Sequence, residues 1–278
     1  MLLHYILKTG KTLLLALVLF TIIGCVNISA RPVQSESGAS KATVKINNNL
    51  NNRSSNSEKG EKVSDVTTGN TEKVLKKEYG YHNGDKYLAQ YESKPLVRQI
   101  ILVEQSATEV SVGKLYVLIK GEKGNWKEYL QCKAYLGKNG INKGREGDVR
   151  TPAGDFGMLM AFGAKEDPGS LIPYTKLTDT MYLCGDKEYY NQFIDVSKTN
   201  HRCSGNSEHL LSYIPQYNYA LFFDYNKENI YGKGSAIFLH CFGNYPFTMG
   251  CIAVAEENMV KILRTVNGYG RICIYAGK

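Results

Sequence analysis

Apolar residues fall along this chain in three regimes. The first is a continuous run, Thr12 to Ile23, preceded by Lys8 and Lys11 and ended by Gly24-Cys25. The second, from about Val26 to Lys77, has almost no apolar pattern and reads KINNNLNNRSSNSEKGEKVSDVTTGNTEK through its middle. Beyond Glu78 apolar residues return as short runs rich in Tyr, Val, Ile and Leu and punctuated by glycine. VRQIILVE from Val97, KLYVLIK from Lys114, WKEYLQCKAYLG from Trp126, GMLMAFG from Gly157 and YALFFDYN from Tyr219 have the length and residue types of strands. SAIFLHCFG from Ser235 and RICIYAG from Arg271 add two more. Helical periodicity is scarcer. EENMVKILRTV from Glu256 puts Met259, Ile262, Leu263 and Val266 on one face, with acids in the first turn, and Gly268 beyond as a stop. SGNSEHLLSYI from Ser204 predicts a second, shorter helix capped by Ser204 or Asn206. The balance predicts an α+β, β-dominated domain, built as a sandwich or a partly closed barrel, and no internal repeat is visible.

The opening run has the layout of an export signal: a charged start, a short apolar centre and a small residue at its exit. It falls short of the roughly 20 apolar residues of a membrane-spanning helix. Ile22-Ile23-Gly24-Cys25 resembles the lipobox of bacterial lipoproteins, which implies lipidation of Cys25. An uncleaved anchor, or cleavage after Ser29-Ala30, are the other outcomes of such a segment. The division expected is 1–25 as signal or anchor, 26–78 as a flexible polar linker with too little apolar surface to offset its ordering entropy, and 79–278 as the folded domain, its core about 97–278. The protein is accordingly expected outside the cytoplasm, membrane-anchored or associated with the cell wall.

The formal charge of the 278 residues is +8, with no basic stripe interleaved with aromatics. Nucleic acid is therefore not an expected partner; attraction to anionic lipid or wall polymer is all the charge implies.

Candidate chemistry lies in IFLHCFGNYPFTMGCIAVAEENM, from Ile237 to Met259. A strand delivers His240, a loop with Gly243, Asn244 and Pro246 turns the chain back, and Thr248-Met249-Gly250 leads into Cys251. Extended segments on either side are expected to bring imidazole and thiol within hydrogen-bond reach, so that His240 converts a thiol of pKa about 8.5 to the reactive ion. Gly250 would let a substrate carbonyl approach the backbone, the N–H groups of Gly250 and Cys251 would face the developing oxyanion, and Thr248 would brace the loop or orient His240. A His and a Cys at this spacing are alone a weak signal, since both residue types are common in cores. Cys241, Cys251 and two histidines are conceivable zinc ligands, but no C-x-x-C spacing occurs, and no metal is expected.

These residues resemble the catalytic domain of the L,D-transpeptidase family, the YkuD type. The family signature is a His at a strand end, a loop, and Ser/Thr-x-Gly-Cys before an apolar residue; here His240 and Thr248-Met249-Gly250-Cys251-Ile252 match it. Upstream, KAYLGKNGINKGREGDVRTPAGDF is similar to the family's strand, turn and Thr-Pro-x-Gly-x-Phe element. A branch with T-x-G-C-I-A and a following E-x-x-M helix is nearest. The usual His before the glycine is Met249, the usual Arg two places after the nucleophile is Ala253, and Cys241 stands where Gly often follows the His. The resemblance implies a two-step acyl transfer on peptidoglycan stem peptides. Cys251 attacks the third residue of a tetrapeptide donor and expels D-alanine; an amine acceptor then resolves the thioester, or water does, as in an L,D-carboxypeptidase. His240 is proton acceptor and donor in turn, a backbone carbonyl is expected at its far nitrogen, and no cofactor is required.

Other readings are a sortase, which separates His from Cys by far more chain, and a papain-like wall peptidase, which reverses their order. A non-catalytic wall-binding module would use a groove of Tyr81, Tyr87, Tyr189, Tyr190 and Tyr217. His82, His201 and His209 are expected to be structural, Glu256 and Glu257 to suit a helix start, and Asp155 to shape the turn after Gly154. Cys184 and Cys203 bracket a loop-rich segment and are candidates for a disulfide. Cys241 is expected to be a small buried residue.

Overall fold

A computed structural model describes residues 79–278. The apolar N-terminal run, Cys25 and the polar linker lie outside the described residues. Twelve strands and two α-helices follow one another: α1 (Asp85–Glu92), β1 (Gln99–Gln105), β2 (Val112–Lys120), β3 (Trp126–Tyr135), β4 (Gly154–Gly163), β5 (Tyr174–Lys176), β6 (Met181–Cys184), β7 (Gln192–Asp195), β8 (Glu208–His209), β9 (Ala220–Phe223), β10 (Phe238–Cys241), β11 (Ile252–Val254), α2 (Glu256–Leu263) and β12 (Arg271–Ala276).

The main sheet runs β12-β1-β2-β3-β11-β10-β9-β4, and β12 also pairs with β4. Eight strands therefore close on themselves as a barrel-like sheet, and β5 extends it alongside β4. Closure removes the exposed edges that a sheet of this size would otherwise present. A separate three-stranded sheet has the order β7-β6-β8.

Alternation along the strands separates three cores. On β1, Ile101 and Val103 join Leu115, Val117, Leu221, Leu239, Ile252 and Ile272 in the largest, which α2 completes with Met259, Ile262 and Leu263. The intervening Ile100 and Leu102 face a second cluster with Tyr87 and Leu88 of α1, Trp126 and Tyr275. Burial on both faces explains why β1 reads as an unbroken apolar run. A third cluster joins Phe222 and Phe238 of the barrel to Met181 and Leu183 of the small sheet, and Cys251 belongs to it.

Helix α1 carries no strong apolar stripe and was not expected. Asp85 anchors it by accepting from the backbone N–H groups of Tyr79, Gly80 and Tyr81 at 2.9, 3.3 and 2.8 Å. The helix expected from Ser204 is absent: Glu208–His209 forms β8, followed by one 3-10 turn, Leu210–Ser212. Tyr182 and Leu183 of β6 offer a strand partner to His209 and Glu208, and that pairing prevails. At Glu256 the expected helix forms and ends at Leu263, short of Gly268. Glu256 accepts from Asn218 Nδ2 at 2.7 Å and pairs with Lys165, a structural tie. Asp155 is likewise structural, receiving Arg271 Nε at 2.8 Å and the Tyr91 hydroxyl at 2.6 Å. No helix among the described residues is long and apolar enough to cross a membrane.

Candidate active site

Strands β10 and β11 are parallel, with Leu239 opposite Ile252 and His240 opposite Ala253. The loop between them therefore crosses over and re-enters the sheet in the same direction, where a simple reversal was expected. Leu239 and Cys241 point into the largest core; Phe238 and His240, of opposite parity, face the other side, where Cys251 also lies. His240 and Cys251 share the wall of a cleft of about 840 Å³, with Lys143, Glu208, Tyr217, Thr248, Met249, Gly250 and Ala253 among its lining residues. Cys241 contacts the Tyr219 carbonyl on the far face, so the zinc set imagined from Cys241 and Cys251 does not converge.

The thiol and the imidazole are not hydrogen-bonded to each other, contrary to expectation. Cys251 donates its Sγ–H to the Ala236 carbonyl at 3.1 Å, and the Phe238 N–H donates to Sγ at 3.3 Å. The parallel register is the reason: it sets Cys251 back along the strand pair from His240, which is opposite Ala253. His240 Nδ1 lies 2.7 Å from the Cys241 carbonyl. That carbonyl can only accept, so Nδ1 carries the proton and Nε2 presents its lone pair. A backbone carbonyl at the far nitrogen is the arrangement the sequence suggested. The edge-on ring of Tyr217, 5.6 Å between centroids, holds the imidazole from the side.

Burial sets the proton affinities. It pushes the Cys251 thiol up to about 12, with the nearby Glu208 carboxylate adding to the rise and Lys143 opposing it. It lowers His240 to about 4. The resting pair is therefore a neutral thiol and a neutral imidazole, not the ion pair expected from the sequence. Glu208, whose carboxyl is enclosed at the cleft wall, is raised to about 7 by the same desolvation, against the pull of the Tyr217 hydroxyl at 2.7 Å.

Two threonines fix Cys251. The Cys251 carbonyl accepts from Thr248 Oγ1 at 2.7 Å and from Thr151 Oγ1 at 3.0 Å. Thr151 in turn accepts from the Gly137 N–H at 2.8 Å. The VRTPAGDF element and the TMGC element thus meet at one carbonyl, and the isolated bridge between Gly137 and Thr248 runs alongside. Thr248 braces the loop and does not touch His240. Its hydroxyl also takes the Gly250 N–H at 3.1 Å, which removes that group from the expected oxyanion pair. Gly250 has φ +150°, and a Cβ there would lie 2.9 Å from Ile237 Cδ1 and 3.1 Å from the Arg150 carbonyl. Its smallness serves a close backbone crossing.

Lys143, Glu208 and Thr151 were not singled out from the sequence. Lys143 Nζ is 2.9 Å from Asp148 and 3.6 Å from where a Gly250 Cβ would stand, so a cation lies beside the turn into Cys251. Asp148 is half-buried, yet the Gly144, Arg145 and Arg150 N–H groups and the Lys143 ammonium hold it down to about 2. The run NKGREGD hints at a turn closed by an acid, but nothing in it says that the lysine points into a cleft. Glu208 was read as helical.

Of the five tyrosines proposed as a groove, only Tyr190 and Tyr217 line the cleft. Tyr87 is in the α1 core, Tyr81 packs edge-on to Tyr116, and Tyr189 stacks on His201. His209 bridges Ser212 and the Asp179 carbonyl, both at 2.8 Å, and His82 meets Glu104 at 3.3 Å. Cys184 and Cys203 are both free thiols, as are the other described cysteines.

No family model and no curated protein matches this chain. Among solved structures it is similar to L,D-transpeptidase 1 of Mycobacterium tuberculosis, with a TM-score of 0.30 and 14% identity over 64% of this chain and 62% of that one. The chain thus spans less than two thirds of that neighbour.

Proposed function

We propose that the domain is a cysteine acyltransferase of the L,D-transpeptidase type, acting on peptidoglycan stem peptides outside the cytoplasm. The observation that carries this reading is the placement of Cys251 and His240 on one cleft wall. The imidazole lone pair faces in, and the nucleophile's own carbonyl is held by threonines from both elements of the signature.

The neutral pair dictates the order of events. Rotation of the Cys251 side chain releases the Ala236 carbonyl and turns the thiol toward the donor peptide. As sulfur bonds to the carbonyl carbon of the third residue, its proton passes to His240 Nε2. The imidazolium returns that proton to the departing amine of D-alanine, leaving a thioester. The acceptor amine then attacks, losing a proton to His240, and collapse returns the proton to sulfur. Charge appears only during reaction, in a desolvated site where a fixed donor is most effective. The Cys251 N–H is the donor of the original pair that Thr248 does not occupy, and the Lys143 ammonium supplies positive charge beside it.

Incubation of the protein with a carbapenem, followed by intact-mass measurement, tests the nucleophile. One adduct on the wild type and none on Cys251→Ala is expected; no adduct on the wild type would sink the acyl-enzyme. Muropeptide analysis of treated wall then separates the acceptors, since links between third residues require an amine and shortened stems alone mean water.

A further inference from the structure

We propose that Cys184, His201 and Cys203 form a zinc site beside the cleft, with Asp186 standing against it. The ligand atoms of Cys184, His201 and Cys203 lie within 4.8 Å of one another. Cys184 Sγ is 3.2 Å from His201 Nε2, and Asp186 Oδ2 is 3.2 Å from the same nitrogen. Around tetrahedral zinc, with bonds of about 2.3 Å to sulfur and about 2.0 Å to nitrogen and oxygen, nitrogen–sulfur and nitrogen–oxygen separations come to about 3.5 and 3.3 Å. The observed distances need shifts of only a few tenths of an ångström.

Two further features suit a metal rather than a chance contact. Two sulfurs and one imidazole nitrogen form a compact triangle, and a carboxylate stands against the same nitrogen. The surrounding groups also hold the ligands in place. Tyr189 stacks on the His201 ring at 4.1 Å, the Ser204 N–H and hydroxyl both donate to Asp186, and the Ser207 hydroxyl donates to Cys184 Sγ at 3.7 Å. Such supporting contacts orient metal ligands and fix their geometry. Three protein ligands suffice to hold a zinc ion, and the fourth place would fall to a water or, after a small shift, to the Asp186 carboxylate. Binding releases the two thiol protons to solvent.

The absence of C-x-x-C had argued against zinc. Here the ligands come instead from the end of β6, with Cys184 and Asp186 two places apart, and from an H-x-C step, His201 to Cys203, in the following loop. That loop, residues 196–207, is polar and buries little, so an ion is an effective means of fixing it. Gly185, Asn206 and Glu208, adjoining the ligands, line the cleft. The ion would hold this wall in place whatever reaction the cleft performs.

The full chain, purified without chelator, is expected to carry close to one zinc per molecule by elemental analysis. Cys184→Ser and Cys203→Ser should each lower this below about one tenth, while Cys132→Ser keeps it. If the serine variants fail to fold, cobalt added to chelator-stripped wild type provides the second reading: a sulfur-to-cobalt charge-transfer absorption is expected. Wild-type protein that carries no zinc and gives no such absorption overturns the site. So does a Cys184–Cys203 disulfide in freshly purified protein, found by peptide mapping. Neither measurement uses a substrate, so its failure is distinct from failure of the acyltransferase reading.

Discussion

His240 and Cys251 hold their protons in the order that burial dictates, and this makes their behaviour with pH predictable. With His240 near 4, the imidazole is a competent base throughout the neutral range. The second-order rate of acylation by a carbapenem should therefore stay level from pH 8 down to about 5 and fall only as pH approaches 4, whereas a solvated histidine would place the fall near 6.5. A limb near 6.5 in the pH–rate profile would show that the cleft is wetter than its geometry implies. Glu208 works in the opposite direction on stability. Its folded value, about 7, exceeds the unfolded 4.5, so its contribution is fully present below pH 4.5 and is lost as pH rises through 7. His240, depressed below 6.5, contributes stability present above 6.5 and lost as pH falls to 4. The two oppose each other across one window. Glu208→Gln removes one of them and retains an acceptor for Tyr217. Its unfolding free energy relative to wild type should rise between pH 4.5 and 7.5, on the order of 2 kcal/mol, in urea titrations at the two pH values.

At the level of elements, the loop before Cys251 is held less by its own sequence than by what it is tied to. Thr151 comes from a segment a hundred residues earlier, and its hydroxyl serves two buried backbone groups, the Gly137 N–H and the Cys251 carbonyl. Thr151→Val keeps the shape and removes both bonds. It should cost on the order of 1–3 kcal/mol in unfolding free energy, and slow acylation more than tenfold by loosening the attacking group. Acylation at the wild-type rate would show that Thr248 alone suffices. This tie explains what could be read in advance. Most barrel strands, α2 and the closeness of the His240 and Cys251 segments were legible because apolar runs are local signals, whereas the short β5 to β8 were not. The parallel register of β10 and β11 was not, since a short loop between two strands reads the same whether the chain reverses or crosses over. Without that register the distance between thiol and base, and hence their neutral resting state, was out of reach.

The whole molecule depends on contacts that sequence pattern conceals most thoroughly at its N-terminal side. Strand β1 reads as buried on both faces, but nothing in HNGDKYLAQYE marks α1 as the element that covers its outer face. Tyr87 and Leu88 do so, lying with Ile100, Leu102, Leu118, Trp126 and Tyr275, and Lys120 reaches across to the carbonyls of Tyr91 and Lys94 at 2.5 and 2.9 Å. Leu88 is wholly inaccessible and Tyr87 nearly so, and each such side chain is worth roughly 1.5–3 kcal/mol of burial. Removal of α1 also exposes the residues it covers and strands the Lys120 ammonium without its carbonyls, a further cost of about 1–3 kcal/mol. Together these approach the 5–15 kcal/mol that holds an ordinary domain folded. A fragment of residues 79–278, which retains all three cores, should unfold cooperatively in urea and acylate like the full chain. One of residues 97–278, though it keeps every strand and both His240 and Cys251, should have a midpoint lower by more than half or fail to fold. If the shorter fragment matched the longer in both midpoint and acylation, α1 would be an appendage rather than a wall of the domain.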